Sequence, residues 1–165
     1  MLLRNGTAAF LRNNNKYLLI KRSESKVLLP GLWSGVGGHM EPCEINDPLL
    51  TCYREIEEET GITKDKISKL ELLYLIIRRS KDEISQSYIY FGETTQEEVI
   101  QTEEGTLFWV PESEWTDRQF SSTFSMMLTH YKKRKKEDRA VYVGVAEDDL
   151  GKLRIIWAKC EDFEK

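Results

Sequence analysis

Residues 38–62 read GHMEPCEINDPLLTCYREIEEETGI, with four glutamates in the five positions 55–59 and a glycine two places later. Asp47-Pro48 marks a helix start, because Asp caps the free N–H groups and Pro is tolerated in the first turn. Gly61 marks its end, since glycine adopts the left-handed closing conformation without strain. Between them Leu49, Cys52, Tyr53, Ile56 and Thr60 recur at helical spacing and predict one buried stripe. Glu55, Glu58 and Glu59 stand at i, i+3 and i+4 and share a second face. Each close pair of like charges costs about 0.2–0.5 kcal/mol in an isolated helix. A solvated helix would relieve this with a cation at i+4, but four residues after Glu55 comes Glu59. Carboxylate oxygens suit Mg²⁺, Mn²⁺ or Ca²⁺. The plainer alternative is an acidic surface helix with no ligand.

The residues in front of the helix favour the ligand. Gly37-Gly38 follows Val36, and paired glycines let the backbone approach another group closely. The stretch resembles the Nudix box, G-x5-E-x7-R-E-U-x-E-E-x-G-U with U aliphatic, at Gly38, Glu44, Arg54, Glu55, Ile56, Glu58, Glu59, Gly61 and Ile62. It departs from that pattern in two places. Nine residues rather than seven separate Glu44 from Arg54, a two-residue insertion before Pro48, and Cys43 stands where the family usually has Gly.

The resemblance implies an α/β (α+β) Nudix fold, a mixed β-sheet between helices. It also implies hydrolysis of a diphosphate linkage in a nucleoside diphosphate joined to a further group X, with Mg²⁺ as cofactor and Mn²⁺ able to replace it. Glu58 and Glu59 are the expected metal ligands, with the backbone carbonyl of Gly37. Glu55 is a further ligand or the base that orients water. Arg54 is expected to hold Glu55 and Glu44 by charged hydrogen bonds. The general base stays open between Glu55, Glu58 and Glu104. Glu104 comes from the segment 103–111, EEGTLFWVP, which is similar to the E-G-x-x-x-W-V-P segment of Nudix enzymes. There a loop glutamate binds metal or acts as base; Glu104 abuts the glycine, and Glu103 is the alternative. Gly38, Trp33, Ser34 and Glu44 are the expected substrate-binding residues. Trp33 and Ser34 lie in GLWSGVGG, a segment similar to one in MutT-like enzymes that remove 8-oxo-dGTP. Some of those have Asn where Ser34 stands. Hence the expected activity is a nucleoside-triphosphate pyrophosphatase of modest base selectivity. An ADP-ribose or nucleotide-sugar pyrophosphatase is the alternative, and a non-catalytic nucleotide-binding module is a third reading. The family often dimerises, so a homodimer stays open.

Residues 7–11 and 17–20 are apolar runs joined by Asn13-Asn14-Asn15, a hairpin signal. Residues 22–26 are polar, and after Leu28-Leu29 comes the turn Pro30-Gly31. Residues 70–78 and 86–93 predict strands around the turn Lys81-Asp82-Glu83. Residues 94–101 predict an exposed loop, and Pro111 closes a strand over 106–110. Residues 111–115 predict a short helical turn with Trp115 as its apolar residue. A C-terminal helix over 120–136 carries the stripe Phe120, Phe124, Met127, Leu128 and Tyr131 and ends in the basic run 132–136, which favours its dipole. Residues 141–145 and 153–158 predict an added β-hairpin, turning through 147–151.

The 165 residues suit one domain, 1–165, with 40% hydrophobic and 32% charged residues. A net charge of −4 disfavours a nucleic-acid polymer as partner. Three cysteines without metal-ligand spacing predict reduced thiols and a cytoplasmic protein. Met1-Leu2-Leu3-Arg4-Asn5 is too short an apolar run for a signal peptide, and no stretch approaches a membrane span.

Overall fold

The structure, a computed structural model, describes residues 1–24 and 30–162, with the backbone alone at Asp149. Ser25, Lys26, Leu28 and Leu29 of the sequence reading lie outside the described residues. Two helices flank one large mixed sheet. Strand β1 (Leu2–Asn13) turns through Asn14, at φ 53°, into β2 (Lys16–Arg22). Asn tolerates this left-handed conformation better than most residues. A two-residue strand β3 (Trp33–Ser34) adds to β2. Helix α1 (Pro48–Thr60) follows, then the long hairpin of β4 (Ile67–Ser80) and β5 (Glu83–Thr94). Strand β6 (Gly105–Pro111), helix α2 (Ser122–Lys133) and the hairpin of β7 (Val141–Asp149) and β8 (Lys152–Cys160) complete the chain.

β1 runs parallel to β5 from Leu2↔Glu83 to Arg12↔Glu93. β6 covers the whole of β2, from Lys16↔Pro111 to Arg22↔Gly105. Alternation along β1 and β2 sends successive side chains to opposite faces. Ala9, Leu11, Leu18 and Ile20 meet Cys52 and Ile56 of α1 in one core. Ala8, Phe10, Tyr17 and Leu19 meet Met127 and Leu128 of α2 in the other. Among the described residues no helix is long and apolar enough to cross a membrane. Cys52 is buried, while Cys43 and Cys160 are exposed, and all three are free thiols.

Several expectations need correction at their edges. Leu49 is exposed rather than part of the buried stripe; Thr51 is buried in its stead, its hydroxyl donating to Glu44. Pro111 ends β6, and the short helical turn lies later, at Trp115–Asp117. Glu83 opens β5, and β7 runs on through Glu147 and Asp148, leaving Leu150-Gly151 as the turn. Glu147 pairs with Arg154 across that hairpin, which extends the ladder beyond the apolar run. α2 starts at Ser122, capped by the Ser121 hydroxyl, and Phe120 is buried ahead of it.

The basic run is not a solvated helix end throughout. Arg134 leaves helical geometry, and its side chain is only 5% exposed. Its guanidinium lies over the rings of Tyr74 and Tyr142, at 5.2 and 4.7 Å, and donates to the carbonyls of Asp138 and Ala140. Beside it His130 shares a 3.0 Å hydrogen bond with the Tyr74 hydroxyl and packs on Tyr142 and Trp157. This cluster fastens the β7–β8 hairpin to the rest of the sheet.

Burial holds the His130 pKa below the usual histidine range; Arg134 and Lys133 push it the same way, and Asp138 opposes them. The fold therefore prefers neutral His130. That contribution is present above about pH 6.5, the ordinary histidine value, and is lost as pH falls from there through the depressed folded value. His130→Gln should accordingly destabilise the protein at pH 7.5 and less so at pH 5. Melting curves at the two pH values check this; an unchanged gap between wild type and variant would show that His130 does not titrate on unfolding.

Candidate active site

Local signals place α1 as its sequence dictates. The Asp47 carboxylate accepts from the Leu50 N–H at 3.1 Å, and Pro48 opens the first turn. Gly61 closes the helix at φ 74°, its N–H donating to the Glu57 carbonyl at 2.8 Å. Cys52, Ile56 and Thr60 anchor the buried side to the sheet, which turns the carboxylate face toward the Gly37-Gly38 segment. The three carboxylates sit at different depths. Glu59 is 9% exposed, the Glu55 side chain 13% and the Glu58 side chain 59%.

Arg54 organises them. Its Nε and Nη2 hold Glu44 in a two-point clasp at 2.7 and 2.9 Å. Its Nη1 donates to both Glu55 and Glu58 at 2.9 Å, and Nη2 also reaches the His39 carbonyl at 3.1 Å. The planar fork is what permits so many directed bonds from one side chain. Glu44 also accepts from the Thr51 hydroxyl and the Glu41 N–H. The Arg54 hydrogen bond first, and the Glu41 N–H next, hold the Glu44 carboxyl down at about 2. The two-residue insertion does not displace it. A short 3-10 turn, Pro42–Glu44, keeps Glu44 buried, and Ile45 of the longer loop is exposed.

Gly37 is required by close approach to backbone, whereas Gly38 faces the end of a side chain. A Cβ at Gly38 would stand 2.5–2.6 Å from the Glu55 carboxylate, and one at Gly37 would collide with the Thr7 carbonyl. Gly37 donates its N–H to Glu59 at 3.0 Å; the resemblance assigned its carbonyl to metal. Burial pushes the Glu59 pKa up to about 7, opposed by that N–H. The charges of Glu55 and Glu104 add to the rise, and Arg22 acts against it. Burial likewise raises Glu55, with Arg54 opposing.

Glu104 is half-buried in the turn before β6 and acts on Glu59, whereas Glu103 is exposed. Arg22 escaped the sequence reading, which had it only as the start of a polar stretch. The β2–β6 register sets it opposite Gly105, next to Glu104, on the rim of a cleft of about 390 Å³. A basic residue closing a strand beside the glycine-rich segment was the available signal.

Among the described residues no three His, Cys, Asp or Glu side chains are already gathered as a metal cage. Glu55 and Glu58 are drawn to Arg54, and Glu59 to the Gly37 N–H. The donor chemistry nevertheless fits a hard divalent cation. All the donors are oxygens, the buried Glu59 lies beside the partly buried Glu55, and burial raises the pKa of both.

Trp33 is half-buried with Phe108 at 5.2 Å and the Arg118 guanidinium 5.3 Å over its ring. Ser34 pairs with Ile20 across β3 and β2. Trp115 is 2% exposed and stacks on Tyr17 at 4.0 Å, so it packs the core as its helical turn implied.

The family description "NUDIX domain" matches this chain over residues 2–128. The chain belongs to the NUDIX family. Residues 48–60 of the Nudix helix and the Gly37-Gly38 segment both fall inside the matched range. The nucleoside triphosphatase NudI of an Enterobacter species is 43% identical over 51 residues, 31% of this chain and 35% of that protein. The m7GpppN-mRNA hydrolase NUDT17 of Xenopus laevis is 37% identical over 65 residues, 38% of this chain and 21% of that protein. The matches thus span about a third and a fifth of these curated relatives. Among solved structures, a mutator MutT protein from Bacillus halodurans superposes with a TM-score of 0.73 at 20% identity. That likeness covers 94% of this chain and 97% of the Bacillus chain, and it shows the fold.

Proposed function

We propose that this Nudix protein is a Mg²⁺-dependent hydrolase of nucleoside diphosphates linked to a further group, with nucleoside triphosphates as its substrate class. Water would add to one phosphorus and pyrophosphate would leave, so that a triphosphate yields a monophosphate. The observation that carries this reading is the Arg54 clasp, which holds Glu44, Glu55 and Glu58 together beside the buried Glu59. All the helix acids are present, which favours an enzyme over a nucleotide-binding module. The printed name of the NudI relative supports triphosphates as the class.

A divalent cation held by Glu55, Glu58 and Glu59 would neutralise diphosphate oxygens and make a bound water more acidic. The protein's own part is positioning. Arg54 keeps Glu55 and Glu58 at hand, and Gly37 fixes Glu59. The Glu104 charge acts on Glu59, and Glu55, Glu58 and Glu104 are the acids able to take the proton from water. Three free thiols agree with a reducing cytoplasm.

The test is a hydrolysis screen in Mg²⁺ over nucleoside triphosphates, ADP-ribose, nucleotide sugars and dinucleoside polyphosphates. Pyrophosphate release from triphosphates is expected. No turnover of any triphosphate, with brisk cleavage of ADP-ribose or a nucleotide sugar, would replace this reading by the other branch.

Selectivity among bases should be modest. Strong discrimination needs a polar group that the wrong substrate leaves unpaired, whereas apolar shape alone gives ~10–200-fold. Ser34 offers one short hydroxyl, Trp33 already packs against Phe108 and lies under the Arg118 guanidinium, and Trp115 is buried. The kcat/KM ratio of 8-oxo-dGTP to dGTP is therefore expected below about 10³. A larger ratio would reveal a polar reader elsewhere in the cleft.

A further inference from the structure

Glu104 stands on a turn, with neither a helix nor a strand beneath it to fix its carboxylate. Its charge nevertheless acts on Glu59, the most buried acid of the α1 face. Like charges repel, so the chain under Glu104 must be held for that placement to last. Residues 100–102 hold it from two directions. The last carbonyls of a helix have no partner within the helix. At the end of α1 the Thr60 carbonyl accepts from the Ile100 N–H at 3.0 Å. This ties the segment before Glu104 to the residue next to Glu59.

Gln101 ties the same segment to the sheet. Among the described residues β6 has one partner strand, β2. An N–H on the outer edge of such a strand ordinarily goes to water or to another strand. The Leu107 N–H goes instead to the Gln101 side-chain oxygen at 3.1 Å. Thr102 closes the turn itself. It bridges to Gly105, and its hydroxyl accepts from the Glu104 N–H at 3.4 Å. The Ser23 N–H reaches the Glu104 carbonyl at 3.4 Å. Gln101 is exposed and Thr102 half-buried, so hydrogen bonding rather than core packing is what these two side chains contribute.

We propose that residues 100–102 form a brace that sets Glu104 toward the cation site of α1, with Gln101 and Thr102 as its positioning side chains. The brace joins the loop acid to the helix acids, so their spacing is fixed before a cation arrives. Hydrogen-bonded supports of metal ligands are worth ~10–100-fold in metal affinity or activity. The inference rests on the hydrolase reading for rates, and on Glu104 as a cation ligand for binding.

Calorimetric titration of the full chain with Mn²⁺ reads the brace without any substrate. Gln101→Met keeps the length and removes the acceptor, and Thr102→Val keeps the shape and removes the hydroxyl. Each should melt close to wild type yet bind Mn²⁺ ~10-fold more weakly. Thr102→Ser should restore most of the affinity. In a Glu104→Gln background Gln101→Met should have no further effect, because a residue that acts through Glu104 has nothing left to position. With a triphosphate, the same variants should need more Mg²⁺ for half-maximal rate while the nucleotide KM stays near wild type. Wild-type Mn²⁺ affinity in both variants, full additivity with Glu104→Gln, or a loss that tracks a lowered melting temperature would overturn the brace. Wild type that takes up no Mn²⁺ overturns it as well. If wild type binds Mn²⁺ but hydrolyses no nucleotide, the hydrolase reading falls, and the titrations still decide the brace.

Discussion

Glu59→Gln is expected to raise the melting temperature of the metal-free protein while removing most of its activity. The substitution keeps the shape, and an amide oxygen still accepts from the Gly37 N–H. What disappears is a buried negative charge next to Glu55 and Glu104. Burial has moved the Glu59 pKa from 4.5 to about 7. A raised acid is ionised at a cost that grows as pH climbs from its unfolded value to its folded value. At pH 8 this strain is about 1–3 kcal/mol. In a chain of this size it corresponds to several degrees, at roughly 2–4 °C per kcal/mol. The gain should shrink as pH falls from about 7 toward 4.5, where wild-type Glu59 is protonated in the folded state. Mg²⁺ or Mn²⁺ should stabilise wild type by mass action and the variant less. Turnover should fall by ~10²-fold or more, the scale on which one preorganised electrostatic group acts. Calorimetric melts at pH 8 and pH 5, with and without Mg²⁺, read the stability side, and initial rates on a triphosphate read the other. Equal cation-induced rises in both proteins would mean that the metal binds elsewhere.

Arg54→Lys should be nearly as damaging, although it keeps the charge. Lysine has a single ammonium on a flexible stem and cannot clasp Glu44 at two points while reaching Glu55, Glu58 and the His39 carbonyl. The carboxylates would lose their common anchor, and displacement of about 1 Å is enough for ~10²-fold in rate. The loss should fall on kcat more than on KM, because the arginine positions acids and is spent on them. Stability should suffer in acid as well. The depressed Glu44 group contributes stability above its ordinary value near 4.5, and this is lost as pH falls toward about 2. With the clasp gone, acid unfolding should begin at a higher pH. A lysine variant with wild-type kcat and acid midpoint would show that the fork is dispensable. Glu44→Gln separates the parts: it should weaken the acid stability while leaving Arg54 on Glu55 and Glu58.

Much of the site was legible because its signals are local. Asp47, Pro48 and Gly61 bound the thirteen residues of α1, and helical spacing alone puts Glu55, Glu58 and Glu59 on one side. The clasp between Glu44 and Arg54 followed from the Nudix resemblance and survived the longer loop, since two extra residues in an exposed turn need not move the ends they join. The alternating apolar runs of β1, β2, β5 and the terminal hairpin were equally plain, because strand periodicity is a property of neighbours in sequence. Where it failed was at element ends, as with Leu49, Phe120 and Glu147, where tertiary partners rather than propensity decide.

The sequence by itself thus determined the helix, its acidic face, the alternation of the strands and the family. Tertiary structure alone decided which strands are neighbours. Periodicity tells which face a residue takes but not which strand lies beside it, since pairing is settled by long-range closure and packing. That is why Arg22 could not be seen beside Glu104 and Glu59 until the β2–β6 register brought residues 22 and 105 together. It is also why Arg134, one cation in a basic run, turned out to lie over Tyr74 and Tyr142, fastening a hairpin that joins the sheet by running parallel to β4.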